Sequence, residues 1–248
     1  MSVKLVAFDL DGTLAPSKGF ISLVMAYSLN ELLSKTQVCV VTGGTKKQVI
    51  SQVVRRLPKG ANLKNLSIMP TSGAAYLKFG LFGWKPVYSL KLKRREIKKI
   101  KRVVKASAIL LGYWPTESYG KTIDNRGAQV TFSGLGQRAP GYLKDSWDKN
   151  GDKKKKLKSK ISGYLPEIEV RSGGSTSIDI TKKGIDKSFA ILELIRLNSL
   201  NTEEVVYVGD RFDKDGNDFP VLQTGVRCIE VKTPWQTLEV ILDLLKKV

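Results

Sequence analysis

The sequence predicts an α/β protein whose parallel sheet is interrupted by an inserted α+β unit. Short apolar runs, typical of strands buried on both faces, alternate with segments of helical periodicity near both ends of the 248-residue chain. Between Trp84 and Thr181 this alternation gives way to long basic helices and short strands that suit a small antiparallel sheet with two helices on one face. We therefore expect a core domain of residues 1–83 and 182–248 and an inserted domain of residues 84–181.

Individual elements follow from apolar periodicity, from Gly-containing loops and from strand-like runs. The predicted strands are 5–8, 38–41, 66–70, 121–123, 128–132, 167–171, 175–180, 205–208 and 226–231. The predicted helices are 22–35, 46–57, 91–111, 143–162, one that opens over 182–187 and ends at 197, one that begins at 216–218, and 234–248.

Composition is that of a globular protein, because 42% of the residues are hydrophobic. No apolar run approaches the ~20 residues that cross a bilayer, so we expect no membrane partner. The first four residues lead directly into the first strand without a visible secretory signal, and we expect a cytoplasmic protein. Cys39 and Cys228 lie in apolar runs and are expected to be small core residues.

Two carboxylates follow the first predicted strand. Asp9 and Asp11 follow the run Leu5–Phe8, at the sheet edge where the ligand-binding and catalytic residues of open α/β folds lie. A carboxylate there can attack phosphorus and form an aspartyl-phosphate if a cation neutralises the charge, and a second carboxylate can act as general acid and base. Gly12 would allow the tight turn, and Thr13 could donate a hydrogen bond to a phosphoryl oxygen.

The same four residues have two other interpretations. Asp and Gly are common in solvated turns, and an Asp-x-Asp-Gly segment can begin a calcium-binding loop. The calcium loop needs further acidic residues at alternating positions and a late Glu, and residues 15–18 supply none.

The end of the second strand predicts a phosphate cradle. Thr42 and Gly43 stand between that strand and a helix, where backbone N–H groups and a hydroxyl can meet an anion. An ordinary helix N-cap followed by a glycine turn would leave the same pattern. The position one βα unit after Asp9 favours phosphate binding.

The last third of the chain supplies a lysine and a further carboxylate. Lys187, near the start of a helix, could neutralise the Asp9 carboxylate and an incoming phosphate, although an exposed helix lysine is the simpler interpretation. Asp210 ends another strand and could bind a metal ion together with the Asp9 side chain and the Asp11 backbone carbonyl. Asn217 and Asp218 are expected to hold the metal's waters or to orient the loop, and Asn217 is also a candidate phosphate ligand. The chain has no histidine, so a metal site must be built from oxygens, which suits Mg²⁺.

The net charge of +19 is concentrated in two basic runs, residues 91–105 and 144–160. Such runs can bind nucleic acid, or they can be solvated helix faces. Neither run interleaves aromatic residues for base stacking, so we favour solvated faces. We expect a small phosphorylated molecule as the partner, although the charge does not exclude a nucleic acid.

Taken together, the four motifs resemble those of the haloacid dehalogenase-like (HAD) phosphotransferases. The matching segments, in the family's order, are DLDGT, VVTGG, the lysine of KKGIDKS, and GDRFDKDGND. An insert after the third strand is the position of the family's type IIB cap. The resemblance implies a Rossmann-like parallel-sheet core with an α+β cap of type C2B, and catalysis with Mg²⁺ through an aspartyl-phosphate.

Within that family the chain is most similar to the eukaryotic-type phosphomannomutases. The spacing between Asp210 and Asn217 is similar to theirs, and the segment 171–179 resembles the cap strand in which their Ser and Asp bind the sugar. The residues of this chain that correspond to that Ser and Asp are Ser177 and Asp179. The segment around Arg126 resembles the one that carries a phosphate-binding arginine in their cap.

One departure concerns the second cap arginine of those mutases. Gln137 occupies its place and Arg138 follows one residue later, although Arg138 could still reach a distal phosphate from a loop. The sequence therefore favours a phosphatase acting on a sugar phosphate, with a phosphohexomutase as the alternative. A nucleic-acid-binding protein on a HAD scaffold is a third hypothesis, which the intact acidic motifs disfavour.

Overall fold

A computed structural model of the chain describes residues 3–246. Eleven strands and seven α-helices alternate along them. The strands are β1 Leu5–Phe8, β2 Gln37–Val41, β3 Leu66–Met69, β4 Ala75–Gly80, β5 Gly83–Ser89, β6 Ile123–Asn125, β7 Val130–Ser133, β8 Ile168–Ser172, β9 Ser177–Lys182, β10 Val205–Gly209 and β11 Arg227–Glu230. The helices are α1 Leu23–Lys35, α2 Lys46–Gln52, α3 Arg94–Leu110, α4 Gly141–Trp147, α5 Asp152–Tyr164, α6 Lys187–Asn198 and α7 Pro234–Leu245.

The core is a seven-stranded sheet in the order β11-β10-β1-β2-β3-β4-β5. The first five of these strands are parallel, and β4 and β5 extend the edge as an antiparallel hairpin. Side chains alternate across β1. Val6 and Phe8 pack with α1 and α7, whereas Leu5 and Ala7 pack with α6 on the opposite face. This three-layer arrangement confirms the predicted Rossmann-like α/β core.

The inserted unit is a four-stranded antiparallel sheet in the order β6-β7-β9-β8. The residues of one sheet face form a core with the apolar sides of α3 and α5. They include Val130, Phe132, Ile178 and Ile180 from the sheet, and Ile100, Val104, Leu157 and Ile161 from the helices. Alternation along the strands places Thr131, Ser177 and Asp179 on the other face.

The chain divides into two compact units, residues 1–89 with 186–248 and residues 90–185. The first boundary lies six residues later than the sequence suggested, because residues 84–89 form most of β5 and pair with β4 in the core sheet. The sequence did not predict this hairpin. Its edge strand has only weak alternation, since Lys85, Pro86 and Val87 are all exposed.

Three predicted helices differ in the structure. The helix predicted over 143–162 is two helices, α4 and α5, because Gly151 (φ 77°) turns the chain and the Asp148 carboxylate caps α5 by accepting the N–H groups of residues 153 and 154. The helix predicted over 46–57 ends at Gln52, and a short 3₁₀ turn follows. The helix predicted from 216–218 is a 3₁₀ segment, Phe219–Thr224.

The last two residues of the predicted C-terminal helix lie outside the described residues. Within residues 3–246, no helix combines the length and the apolar character that crossing a membrane requires.

Candidate active site

Three carboxylates meet at the carboxyl edge of the core sheet. Asp9 follows β1 and Asp210 follows β10, and these strands are parallel neighbours, so their ends lie side by side. Asp218 returns to the same place from the loop after β10. One oxygen from each of the three carboxylates lies within 4.8 Å of the others.

A buried lysine joins two of these carboxylates. Lys187 is the first residue of α6, and Asp186 caps that helix by accepting the N–H of Phe189 at 3.0 Å. The Lys187 Nζ lies 2.7 Å from Asp9 Oδ1 and 2.6 Å from Asp218 Oδ1, and only 1% of its side chain is exposed. Burial lowers the pKa of Lys187, but the attraction of Asp218 and Asp9 outweighs this effect and the pKa is raised overall. The amine is therefore charged in the site.

Asp218 organises the loop around the site. Its Oδ1 accepts hydrogen bonds from Lys187 and from the Tyr207 hydroxyl, and its Oδ2 accepts the N–H groups of Asp210 (3.2 Å) and Arg211 (3.0 Å). Four donors satisfy both oxygens. Asp218 thus fixes the end of β10 and the lysine at the same time.

Tyr207 is a site residue that sequence reasoning missed. It stands in an apolar strand, where a tyrosine is usually a core residue, and its ring does pack against Phe212 at 6.0 Å between centroids. Its hydroxyl nevertheless donates to Asp218. Burial raises the pKa of Tyr207 well above its usual value, and the negative charge of Asp218 adds to this effect, so the hydroxyl keeps its proton.

The remaining polar atoms of the site have unused hydrogen-bonding capacity. Among the described residues, Thr13 Oγ1, Asp210 Oδ1 and Asn217 Oδ1 are buried without a hydrogen-bond partner. These three oxygens are available to a ligand, an ion or its waters.

Electrostatics at the cluster also favour a cation. Burial raises the pKa of Asp9 well above its usual value; Lys187 opposes the rise, and Asp218 and Asp210 increase it. The pKa of Asp210 is raised mainly by burial as well. A bound cation would relieve this cost of burying like charges, and the donors are all oxygens. The residues therefore fit a magnesium ion.

Gly12 is required by the geometry of the motif. Its φ of 94° lies in the left-handed region, and a Cβ at this position would overlap the Asp210 carboxylate. The turn brings Gly12 N–H to the carbonyl of Ala15 at 2.8 Å.

Asp11 has a different environment from the three clustered carboxylates. Its side chain is half-buried, with Oδ1 accepting the N–H of Lys18 at 2.6 Å and Oδ2 accepting the Gln48 Nε2 at 3.0 Å. Gln48 was not identified from sequence, because a glutamine on a helix is usually a surface residue. These two bonds hold the Asp11 carboxylate in one orientation.

Thr42 and Gly43 lie at the end of β2 beside β1. Thr42 is buried, and its Oγ1 accepts the N–H of Gly44 at 3.0 Å, which leaves the hydroxyl proton as a donor. The N-cap of α2 is Thr45, whose Oγ1 accepts the N–H of Gln48 at 3.2 Å. Helix capping by Thr45 therefore leaves Thr42 and Gly43 in the loop at the sheet edge.

In the inserted unit, Asp179 and Ser177 share the sheet face opposite the helices. Thr131 Oγ1 donates to Asp179 Oδ1 at 2.7 Å, and Ser177 stands two residues earlier on β9. Both Ser177 and Asp179 are partly exposed.

The two arginines of the inserted unit have different surroundings. The Arg126 Nε lies 3.2 Å from Asp124 Oδ2, and its Nη2 donates to Gln137 Oε1 at 3.3 Å. The adjacent Arg138 is exposed and lies against Gly120. The structure thus joins Arg126 to Gln137.

Comparison with known proteins agrees with this fold. The family profile described as haloacid dehalogenase-like hydrolase matches residues 141–229. A probable phosphomannomutase of Caenorhabditis elegans is 21% identical over 228 residues, which cover 88% of this chain and 85% of that protein.

Solved structures share the fold at low sequence identity. An IMP-bound, N-terminally truncated IMP-nucleotidase of Plasmodium falciparum superposes with a TM-score of 0.73 at 15% identity, covering 100% of this chain and 69% of that one. The C-terminal domain of the trehalose-6-phosphate phosphatase of C. albicans gives a TM-score of 0.68 at 16% identity, covering 100% and 93%. The profile match and these relatives show that the chain is similar to haloacid dehalogenase-like hydrolases.

Proposed function

We propose that the chain is a magnesium-dependent phosphatase that hydrolyses a sugar phosphate through an aspartyl-phosphate on Asp9. The observation that carries the proposal is the buried Lys187, held 2.7 Å from Asp9 within a cluster of three carboxylates. A phosphate dianion is repelled by such a cluster unless cations are present. A fixed ammonium together with oxygen ligands for a second cation meets that requirement.

The proposed metal ligands follow from which oxygens are already occupied. Both oxygens of Asp218 accept two hydrogen bonds each, whereas Asp210 Oδ1 has no partner among the described residues. We assign the carboxylates of Asp9 and Asp210 and the backbone carbonyl of Asp11 as ligands. Bound Mg²⁺ would supply charge neutralisation between the Asp9 carboxylate and the phosphoryl group.

Asp9 and Asp11 divide the chemistry between them. An Asp9 carboxylate oxygen attacks phosphorus, the bond from phosphorus to the sugar oxygen breaks, and Asp11 gives its proton to that oxygen. Asp11 then takes a proton from water as the water attacks phosphorus. The bond to Asp9 breaks, which regenerates its carboxylate and releases inorganic phosphate.

The phosphoryl oxygens would be bound by groups around Asp9. Lys187 contributes a charged donor, and Thr42, Thr13 and Asn217 contribute side-chain dipoles, while the Gly43 backbone lies at the same sheet edge. Thr13 fits this role because its buried hydroxyl has no partner among the described residues and can donate, and Asn217 would donate through its Nδ2. Hydrogen bonds to an anion in a water-poor site are the strong ones.

The names of the similar proteins support a sugar phosphate as the substrate. The phosphomannomutase, the trehalose-6-phosphate phosphatase and the IMP-nucleotidase are all named for phosphorylated molecules that contain a sugar. In the inserted unit, Ser177 and Asp179 present a hydroxyl and a carboxylate suited to sugar hydroxyls. Arg126 and Arg138 are the candidate phosphate ligands of that unit.

A phosphohexomutase is the second candidate, and the match to the C. elegans protein favours it. A mutase must hold a second phosphate while the first reacts. Gln137 stands where the mutases have an arginine, and its amide oxygen accepts a hydrogen bond from Arg126. A neutral amide gives a distal phosphate less attraction than a guanidinium, so this contact favours the phosphatase.

The deciding experiment measures two products from the same reaction. Purified enzyme is incubated with hexose 1-phosphates and 6-phosphates, with and without a hexose bisphosphate, and both inorganic phosphate and isomerised sugar phosphate are measured. The proposal predicts phosphate release that needs Mg²⁺ and is lost in Asp9→Asn. Bisphosphate-dependent isomerisation without net hydrolysis would establish the mutase instead, and Arg138→Ala should then reduce isomerisation about tenfold or more.

A further inference from the structure

The positive charge of the chain is concentrated in the inserted unit. Residues 90–185 contain 23 basic and nine acidic residues, a net charge of +14 out of the chain's +19. Helices α3 and α5 alone carry 13 of these basic residues and two of the acidic ones. Most of the excess therefore lies on two neighbouring helices.

This charge lies away from the side chains assigned to the substrate. Helices α3 and α5 pack on the sheet face that carries Ile178 and Ile180, whereas Ser177 and Asp179 are on the opposite face. Except for the buried Lys154, the basic residues line the outer sides of the helices, because the inner sides are apolar. Sugar phosphate binding at Ser177 and Asp179 thus leaves the basic helices unexplained.

A groove runs along the outer side of α5. It has a volume of about 680 Å³ and is lined by Leu111, Asp152, Lys155, Lys156, Lys160 and Tyr164, among others. From Asp152 the α5 residues follow at spacings of three and four, at 155 and 156, 159 and 160, and 163 and 164, so they form one stripe along the helix. Three of the stripe's side chains are lysines against one aspartate.

The stripe ends in an exposed aromatic ring. Tyr164 is 57% exposed, and the Lys160 Nζ lies 5.6 Å from the centre of its ring. Between residues 152 and 160 the basic run contains no aromatic residue, but the helix brings Tyr164 one turn after Lys160. The fold therefore places an exposed aromatic ring directly beside the lysines of α5.

We propose that this groove binds single-stranded nucleic acid, with the lysines on phosphates and a base stacked on Tyr164. A row of cations that ends in an accessible aromatic ring is the combination that such chains require. The 13-residue helix is ~20 Å long, which is enough to follow several nucleotides. An anionic lipid surface would also attract the lysines, and the experiment below distinguishes it from an oligonucleotide.

The test measures binding of a fluorescent 12-nucleotide oligouridylate to the full chain by anisotropy over a range of salt concentrations. The variant Lys155→Gln/Lys156→Gln should weaken binding about tenfold at low salt. It should also reduce the slope of log K against log salt by ~1.4, since each phosphate contact with a single strand contributes about 0.7. The matched control, Lys59→Gln/Lys64→Gln, removes the same charge from exposed positions of the core and should change neither value.

A second variant isolates the stacking. Tyr164→Leu should weaken binding about fivefold or more with an unchanged salt slope, whereas Tyr142→Leu, at another exposed tyrosine of the inserted unit, should have little effect. Thermal unfolding followed by circular dichroism shows that each variant is folded.

Three results would overturn the proposal. If Lys155→Gln/Lys156→Gln and Lys59→Gln/Lys64→Gln weakened binding equally, the oligonucleotide would be attracted by the net charge of the chain and not by the groove. If inorganic polyphosphate bound as tightly as the oligonucleotide and Tyr164→Leu had no effect, the groove would be a general polyanion site that makes no contact with bases. Binding to vesicles containing anionic lipid but not to the oligonucleotide would assign the face to a membrane surface.

Discussion

The buried lysine offers the sharpest test of how the site is held together. Replacing Lys187 by Met keeps most of the side-chain volume and removes the charge. The Nζ bridges two carboxylates that are 5% and 0% exposed, so its loss leaves Asp9 and Asp218 buried without their counter-charge. Breaking a buried ion pair by removing one partner costs ~3–5 kcal/mol, and we expect Lys187→Met to lower the free energy of unfolding by about this amount at pH 7.5.

A surface pair of the same geometry is the control. Lys4 Nζ lies 2.6 Å from Glu204 Oε1, but 59% of the lysine side chain is exposed. Water screens such a pair, and Lys4→Met should therefore change the stability of the core little. Both variants are measured by urea unfolding followed by circular dichroism, with hydrolysis of a chromogenic phosphate ester assayed in parallel.

The loss of unfolding free energy in Lys187→Met should depend on pH. The pKa of Asp9 is already raised by burial, and removing the opposing lysine raises it further. A carboxyl whose pKa is higher in the folded state binds more protons there, so stability falls as pH rises from the unfolded pKa to the folded one. The loss relative to the wild type should thus be smaller at pH 5 than at pH 7.5. The reasoning would be refuted if Lys187→Met lost as little unfolding free energy as Lys4→Met, or if its loss were larger at lower pH.

Three further substitutions test separate contacts. Tyr207→Phe keeps the ring packing but removes the donor to Asp218, and it should lower stability by ~1.5–3 kcal/mol in urea unfolding; a wild-type value would mean that the hydroxyl does not hold Asp218. Asp210→Ala should weaken Mg²⁺ binding at least tenfold by calorimetry, whereas Asp213→Ala, exposed in the same loop, should not; equal effects would mean that the ligand is misassigned. Gly12→Ala should cost ~1–3 kcal/mol from φ alone and more from overlap with Asp210, while Gly60→Ala, with a similar φ and open space, should show only the first cost.

The positions of the site residues along the chain could be predicted because buried parallel strands are short apolar runs. Once Leu5–Phe8 and Val205–Gly209 are strands of one parallel sheet, Asp9 and Asp210 must emerge at the same edge. Lys187 could be placed at a helix start, and the structure brings it to Asp9. Their catalytic and metal-binding roles remain proposals.

The network around Asp218 could not be predicted, because it depends on side-chain geometry across an irregular loop. Asp218 reaches back over eight residues to accept from Asp210, and Tyr207 points its hydroxyl at the same carboxylate from within a strand. No periodicity distinguishes such a tyrosine from a core residue. The contact between Arg126 and Gln137 is similar, since it joins residues on either side of β7.

The prediction of secondary structure was wrong where local sequence signals were weak. The hairpin of β4 and β5 has an exposed tip, Leu81 and Phe82, and an edge strand without clear alternation. The break between α4 and α5 depends on one glycine and one capping aspartate within a basic run that otherwise has helical propensity. Both features arise from turn and cap geometry rather than from apolar pattern.

The central claim is that Asp9 carries the phosphoryl group, and the most direct measurement is to trap it there. The enzyme is mixed with a sugar phosphate and Mg²⁺, quenched in acid during turnover, reduced with borohydride and digested for mass spectrometry. Reduction of an aspartyl-phosphate leaves homoserine, and we predict homoserine at position 9 in the wild type and none in enzyme quenched without substrate. Steady hydrolysis with unmodified Asp9, or turnover retained in Asp9→Asn, would contradict the mechanism.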